Sequence, residues 1–203
     1  MPPTHDGPGR DEPPDPRRVA AIAARGFHDD PVMSWVFPDP VERTAALELS
    51  FERLAWRFAA RGGRIDVLDD ACTALWLGPD PPPAPDEPTP PSDRPWHLLT
   101  PQAMERFSVL GAAMEASHPA EPHWYLGVVA SLPDQQGRGL GRRILEPVLR
   151  NCDDRGVPSY LESSNARNLP FYYRLGFAQV GEITIPDGPS LYPMWRAPGA
   201  ATG

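Results

Sequence analysis

The stretch Gln136-Gly137-Arg138-Gly139-Leu140-Gly141 joins a strand-like apolar run to a helix-like one. Three glycines in five residues allow the backbone to approach a ligand closely and to turn its N–H groups toward a bound phosphate. Upstream, Trp124-Tyr125-Leu126-Gly127-Val128-Val129-Ala130 reads as a strand, and Pro133-Asp134 supplies the break before the turn. Downstream, Leu140, Ile144, Leu145, Val148, Leu149 and Cys152 recur at helical spacing, which puts the loop at a helix N-terminus. The arrangement predicts an anion cradle.

Two phosphate motifs fail against this stretch. A dinucleotide fingerprint requires a further glycine three residues after the second, where this chain has Arg142 counting from Gly137 and Ile144 counting from Gly139. A P-loop requires a lysine, and all 19 basic residues of the chain are arginines.

Length and composition suit one modest enzyme domain. The 203 residues, 40% of them hydrophobic, are enough for one core. A net charge of -8 argues against a nucleic-acid partner, which would require a basic face, and suits a cationic substrate. Cys72 and Cys152 are too few for a disulfide framework or a thiolate metal site, so no metal is expected. No signal peptide is visible and no run is long enough to span a bilayer, so a cytoplasmic protein without a membrane partner is expected. A homodimer is compatible with this composition.

Residues 1–16 are rich in Pro and Gly and are expected to be a disordered tail, with a second flexible tail at 199–203. One domain is expected over 17–198. Within it, 17–27 reads as a helix, 28–39 as an aromatic loop, and 41–60 as a longer helix with Leu47, Phe51, Leu54 and Phe58 on one face. Residues 65–68 and 71–77 read as a hairpin. The proline-dense acidic stretch 79–95 reads as a solvated loop, and 101–116 as a helix with Met104, Phe107, Leu110 and Met114 as its apolar positions. Pro147 falls inside the helix after the glycine loop, where a kink and a cost of about 3 kcal/mol are expected.

Gln136, Gly139 and Gly141 fill the fixed positions of a pattern that reads Arg or Gln, two residues, Gly, one residue, then Gly or Ala. A second block follows, Pro158-Ser159-Tyr160-Leu161-Glu162-Ser163-Ser164 and then Arg167-Asn168-Leu169-Pro170-Phe171-Tyr172-Tyr173-Arg174-Leu175-Gly176-Phe177. Together they resemble the pyrophosphate loop and the strand, short helix and Leu-Gly-Phe turn of the GNAT acyl-CoA N-acetyltransferase superfamily. Over about 121–198 the chain is most similar to the puromycin N-acetyltransferase-like branch. The resemblance implies an α/β fold with a central, mostly antiparallel sheet splayed near strands 124–131 and 159–164 and helices on both faces. It implies acetyl-CoA as co-substrate and transfer of its acetyl group to an amine of a small, antibiotic-like molecule by direct attack in a ternary complex. A protein or peptide N-acetyltransferase and a non-catalytic acyl-CoA-binding module are the other readings.

Acetyl-CoA brings a pyrophosphate that the N–H groups of Gln136, Gly137, Arg138, Gly139, Leu140 and Gly141 can bind, with charge from Arg138 and Arg142. Both arginines also fit as solvent-facing counter-charges. The resemblance assigns the pantetheine arm to the backbone of Val129, Ala130 and Ser131, although the superfamily usually has an aliphatic residue where Ser131 stands. Asn168 matches an asparagine that bonds the coenzyme arm; it also fits as a helix cap.

Acetyl transfer requires a neutral amine, and a free alkyl amine has a pKa of about 10. It also requires stabilisation of the oxyanion and a proton for the departing thiolate. Tyr172 matches the general acid of the superfamily and also reads as a core aromatic beside Phe171 and Phe177. Glu162 resembles a glutamate that faces the amine, with a structural ion pair as its other role. His123 is the second candidate base, since its ordinary pKa suits a proton relay, and also reads as a surface residue. Asp29, Asp30, Trp35 and Phe37 form a candidate wall for a cationic or aromatic amine, although a helix cap and core packing explain the same residues. No cysteine lies in a matched block, which argues against a covalent acetyl-enzyme.

Overall fold

A computed structural model describes residues 14–83 and 96–200. The predicted tail at 1–13, the loop segment 84–95 and the last residues 201–203 lie outside the described residues.

The N-terminal half is punctuated by proline. Helices α1 (Pro16–Gly26), α2 (Pro31–Val36), α3 (Pro40–Ala60) and α4 (Pro101–Ser117) each begin with a proline. Before each proline stands a capping residue, Asp15, Asp30, Asp39 or Thr100, whose side chain accepts from an amide of the first turn. Proline sets φ for the helix and has no N–H to waste, while the cap satisfies an otherwise orphaned donor. The predicted loop 28–39 is corrected by this pattern. Asp30 Oδ1 accepts from Val32 N at 3.0 Å and Met33 N at 3.2 Å, so the segment contains α2. In α4 the predicted apolar face holds at Leu110, but Met104 is half exposed and Ala103 is buried in its place.

The strands are β1 (Arg64–Leu68), β2 (Cys72–Leu77), β3 (Trp124–Ser131), β4 (Ser159–Ser163), β5 (Ala178–Gln179), β6 (Ile183–Thr184) and β7 (Ser190–Arg196). They form a seven-stranded sheet in the order β1-β2-β3-β4-β7-β5, with β6 also pairing β7. Every pairing is antiparallel except β3 with β4. Helices α1 and α3 pack one face around Leu47, Phe58 and Val128. Helices α5 (Leu140–Arg155) and α6 (Leu169–Arg174) pack the other around Leu145, Leu161 and Phe177. Helix α5 runs through Pro147 as one element.

The functional geometry originates in β3. Its register with β2 shifts between Leu75, opposite Val128, and Trp76, opposite Leu126, which leaves Gly127 as the bulge. A Cβ on Gly127 would lie 2.3 Å from the Phe58 ring, so only glycine fits there. Strand β3 pairs with β4 only at Trp124–Ser159 and Tyr125–Tyr160; beyond that point the two part. A V-shaped gap opens in the middle of the sheet.

The C-terminal end is held by Arg196. Its buried guanidinium donates to Leu175 O at 2.8 Å and, in a fork, to Asp153 Oδ1 and Oδ2 at 2.6 and 2.8 Å. Gly199 N also donates to Asp153 and Arg196 to Ala200 O, so the tail predicted as flexible is anchored over its first two residues. Arg196→Met is expected to lower stability by about 2 kcal/mol, since it removes the charged hydrogen bonds to Asp153 and those to the Leu175 and Ala200 carbonyls; a urea midpoint measures this. The Arg196 hydrogen bonds hold the Asp153 carboxyl below its usual range. A depressed folded-state pKa gives stability that is present above the unfolded value of about 3.9 and lost as pH falls, so the gap between wild type and variant should narrow below about pH 4.

Candidate active site

A cleft of about 760 Å³ occupies the gap, between the end of β3, the glycine loop, α6 and the α1–α2 link. Of the residues expected to hold the coenzyme, Val129, Ala130, Ser131, Gln136, Gly137, Gly139, Leu140, Gly141, Arg142 and Asn168 line it. Arg138 does not; it lines a smaller neighbouring depression with Asp69 and Arg143.

Gly137 and Gly139 take φ of +76° and +78°, the left-handed region open to glycine without cost. Gly139 is the N-cap of α5, a 16-residue helix. Among the described residues no backbone hydrogen bond occupies the amides of Gly137, Gly139, Leu140 or Gly141. The positive end of a long helix thus faces the cleft with free donors. Arg25, Arg142, Arg167 and Arg174 also line it, a concentration of positive charge in a chain of net charge -8. This donor set fits a polyanion such as the diphosphate of coenzyme A.

Tyr172 lines the cleft from α6 and is buried at 7% exposure, packed on Phe171 and Phe177 at centroid distances of 5.1 and 6.0 Å. Burial first, and the Asp30 charge second, push its phenol well above the ordinary value, so it stays protonated. Tyr173 is exposed and turns toward Gln179. The side chain of Asn168 caps nothing; Asn165 instead accepts from Arg167 N and caps the turn before α6.

Asp29 and Asp30 line the cleft, but their surroundings differ. The Asp29 side chain is 94% exposed, whereas Asp30 is buried, and Ser164 Oγ donates to its Oδ2 at 2.5 Å. That bond ties the α1–α2 link to the end of β4 across the gap. Burial raises the Asp30 carboxyl above its usual range, opposed by Ser164 and the two amides of α2. Trp35 and Phe37 lie apart from the cleft lining. Phe37 is buried against Phe107 at 5.6 Å, and Trp35 packs under Arg106 at 5.3 Å, so core packing accounts for both.

Glu162 and His123 belong to a second group on the opposite face of the sheet from Tyr172. Side chains alternate along β4, so Leu161 joins the α5–α6 core while Tyr160 and Glu162 face the other way. Tyr125, Tyr160 and Trp195 are successive cross-strand neighbours on that face. The Glu162 side chain is 1% exposed, and its Oε1 lies 3.7 Å from His118 Nδ1. His123 is buried, which corrects its reading as a surface residue, and its Nδ1 donates to Glu121 O at 2.6 Å. Burial lowers its pKa. Burial and the Glu162 charge push both Tyr125 and Tyr160 well above the ordinary phenol range.

Sequence reasoning missed His118, Tyr125, Tyr160 and Ser164. Tyr160 and Glu162 stand two apart in a strand, a spacing that puts both on one face and was available as a signal. His118 carried none, because β3 and α5 separate it from Glu162 in the chain. Burial pushes the Cys72 thiol up and the Cys152 thiol to about 12, so both stay protonated. Among the described residues no group of His, Cys, Asp and Glu could hold a metal ion, and no helix is long and apolar enough to cross a membrane.

Comparison with known proteins agrees with this geometry. An uncharacterised N-acetyltransferase of Schizosaccharomyces pombe is 30% identical over 192 residues, which span 84% of this chain and 74% of that protein. A mycothiol acetyltransferase of Saccharomonospora viridis is 35% identical over 82 residues, 36% of this chain and 27% of that one. The crystal structure of a protein described as "histone acetyltransferase HPA2 and related acetyltransferase", from Corynebacterium glutamicum, superposes with a TM-score of 0.65 at 27% identity, covering 93% of this chain and 94% of that one. The model of the acetyltransferase (GNAT) family matches residues 70–177, across the hairpin, β3, the glycine loop and the Leu-Gly-Phe turn. The chain belongs to the GNAT acetyltransferase family.

Proposed function

We propose that this acetyltransferase transfers the acetyl group of acetyl-CoA directly to an amine of a small molecule. The observation that carries the reading is the placement of two groups about one gap. Tyr172 stands on the α6 side, and a buried carboxylate, Glu162, stands on the opposite face where β3 and β4 part. In this reading the amides of 137–141 hold the diphosphate, and the backbone of Val129 to Ser131, left unpaired by β4, receives the amides of the pantetheine arm. Bound there, acetyl-CoA supplies an activated thioester.

Glu162 takes a proton from the amine, so that nitrogen presents its lone pair to the carbonyl carbon. Tyr172, held protonated, donates a hydrogen bond to sulfur as negative charge develops there, and the second N–H bond, which breaks after attack, supplies the proton that ends on the CoA thiol. Neither cysteine is a thiolate, in keeping with direct attack in a ternary complex. The carboxylates of Asp29 and Asp30 favour a cationic acceptor at the cleft.

The surroundings of Glu162 favour a small acceptor over a peptide. Tyr125, Tyr160 and His118 enclose the carboxylate, whereas a peptide acceptor calls for an open groove. Within this reading an antibiotic-like amine is taken from the sequence resemblance of about 121–198 to the puromycin N-acetyltransferase-like branch. The test is thiol release from acetyl-CoA against a panel of aminonucleosides, polyamines, aminoglycosides and amino acids, beside a peptide array. Turnover of a panel amine supports the reading. Turnover confined to peptides replaces it with a protein acetyltransferase, and coenzyme binding with no turnover leaves a binding module.

A further inference from the structure

We infer that His118 is the group through which the buried Glu162 carboxylate exchanges protons with solvent; the inference rests on Glu162 being the base proposed above. An amine that arrives as R–NH3⁺ brings one proton more than the reaction consumes. Its two N–H bonds that break yield one proton for the CoA thiol and one for solvent. Glu162 cannot deliver the second by itself. Its side chain is 1% exposed, and among the described residues its Oε1 has no hydrogen-bond partner.

The groups facing it are few. Tyr125 and Tyr160 are phenols held in the protonated form and accept no proton. His123 is buried, and its Nδ1 is committed to the Glu121 carbonyl. Among the described residues His118 joins depth to surface. Its side chain is 34% exposed, and its Nδ1 lies 3.7 Å from Glu162 Oε1. The ring is packed at 5.0 Å from Tyr125, 5.2 Å from Tyr160 and 4.9 Å from His123, which aims it at the carboxylate. A gap of 3.7 Å exceeds the reach of direct proton transfer, and a small rotation of the carboxylate or the imidazole closes it.

The step balances. The amine N–H breaks and a Glu162 O–H forms. That O–H then breaks as Nδ1–H forms, giving an imidazolium. The imidazolium loses its Nε2–H to water, and the exposed ring returns to its starting tautomer by exchange with solvent. His118 therefore acts through Glu162 as a positioning and relay residue.

The first test requires no acceptor. In protein carrying ¹⁵N-labelled histidine, the Nδ1 resonance of His118 should move when Glu162 is replaced by glutamine; an unmoved resonance overturns the inference. The second uses the panel amine with the highest turnover. His118→Gln should lower kcat by about tenfold or more, leave KM for acetyl-CoA unchanged, shift the acid limb of the kcat profile and regain rate on addition of millimolar imidazole. Wild-type kcat and profile overturn the relay, as does a loss of rate that imidazole does not restore. Full turnover by Glu162→Gln removes the base assignment and the relay with it. An inactive Glu162→Gln beside a fully active His118→Gln removes the relay alone.

Discussion

Exchange of Glu162 for glutamine is expected to lower the rate of acetyl transfer by about 10²–10⁴-fold, the usual effect of removing a positioned general base. Acetyl-CoA affinity should stay at the wild-type level, because Glu162 lies outside the residues that line the coenzyme cleft. The substitution is nearly isosteric, and the position is enclosed by His118, Tyr125 and Tyr160, so packing should survive. Steady-state kinetics beside a melting curve separate the two effects. Unchanged turnover would return Glu162 to a structural role and leave its burial as a desolvation cost without a chemical reason.

Tyr172→Phe is the second large effect, about 10²-fold in kcat with the dissociation constant for acetyl-CoA intact. The figure sits at the low end of acid–base effects for a physical reason. Burial and the Asp30 charge hold the phenol well above the pKa of about 8.5 of an ordinary thiol, so complete transfer to sulfur is uphill. In the proposed mechanism Tyr172 contributes a hydrogen bond that strengthens as thiolate forms. Phenylalanine keeps the ring contacts with Phe171 and Phe177, so a fall in kcat reports the hydroxyl alone. Wild-type kcat in this variant would make Tyr172 a packing residue.

What the chain discloses about itself is local. The strand 124–131, the glycine turn and the helix from Leu140 were all legible, because each depends on neighbours within one turn or one strand. Helix α2 carried its own signal, Asp30-Pro31, the same cap-and-proline pair that opens α1 and α3, but the aromatic run around Trp35 disguised it as loop. The bulge at Gly127 was not legible, for strict alternation would put Val128 on the face of Leu126; the extra residue reverses the faces, and the Phe58 ring pressed against Gly127 lies far from it in the chain.

The residues expected to hold the coenzyme lay in two contiguous blocks, and all of them but Arg138 line the one cleft. The face around Glu162 is assembled from the end of α4, β3, β4 and β7, and no spacing in the sequence brings His118 to that carboxylate. Asp30 shows the same limit. Its capping bonds to Val32 and Met33 are local, while the Ser164 bond that closes the gap from the other side is long-range.

The most direct test of the amide cradle is calorimetric titration with acetyl-CoA of the wild-type protein and of Gly139→Val. Wild type should bind one equivalent. The variant should bind about tenfold more weakly, since a side chain at φ +78° costs about 1–2 kcal/mol and turns the amides of 137–141 away from the diphosphate. Absence of binding by the wild type, or equal affinity in the two proteins, would contradict the account.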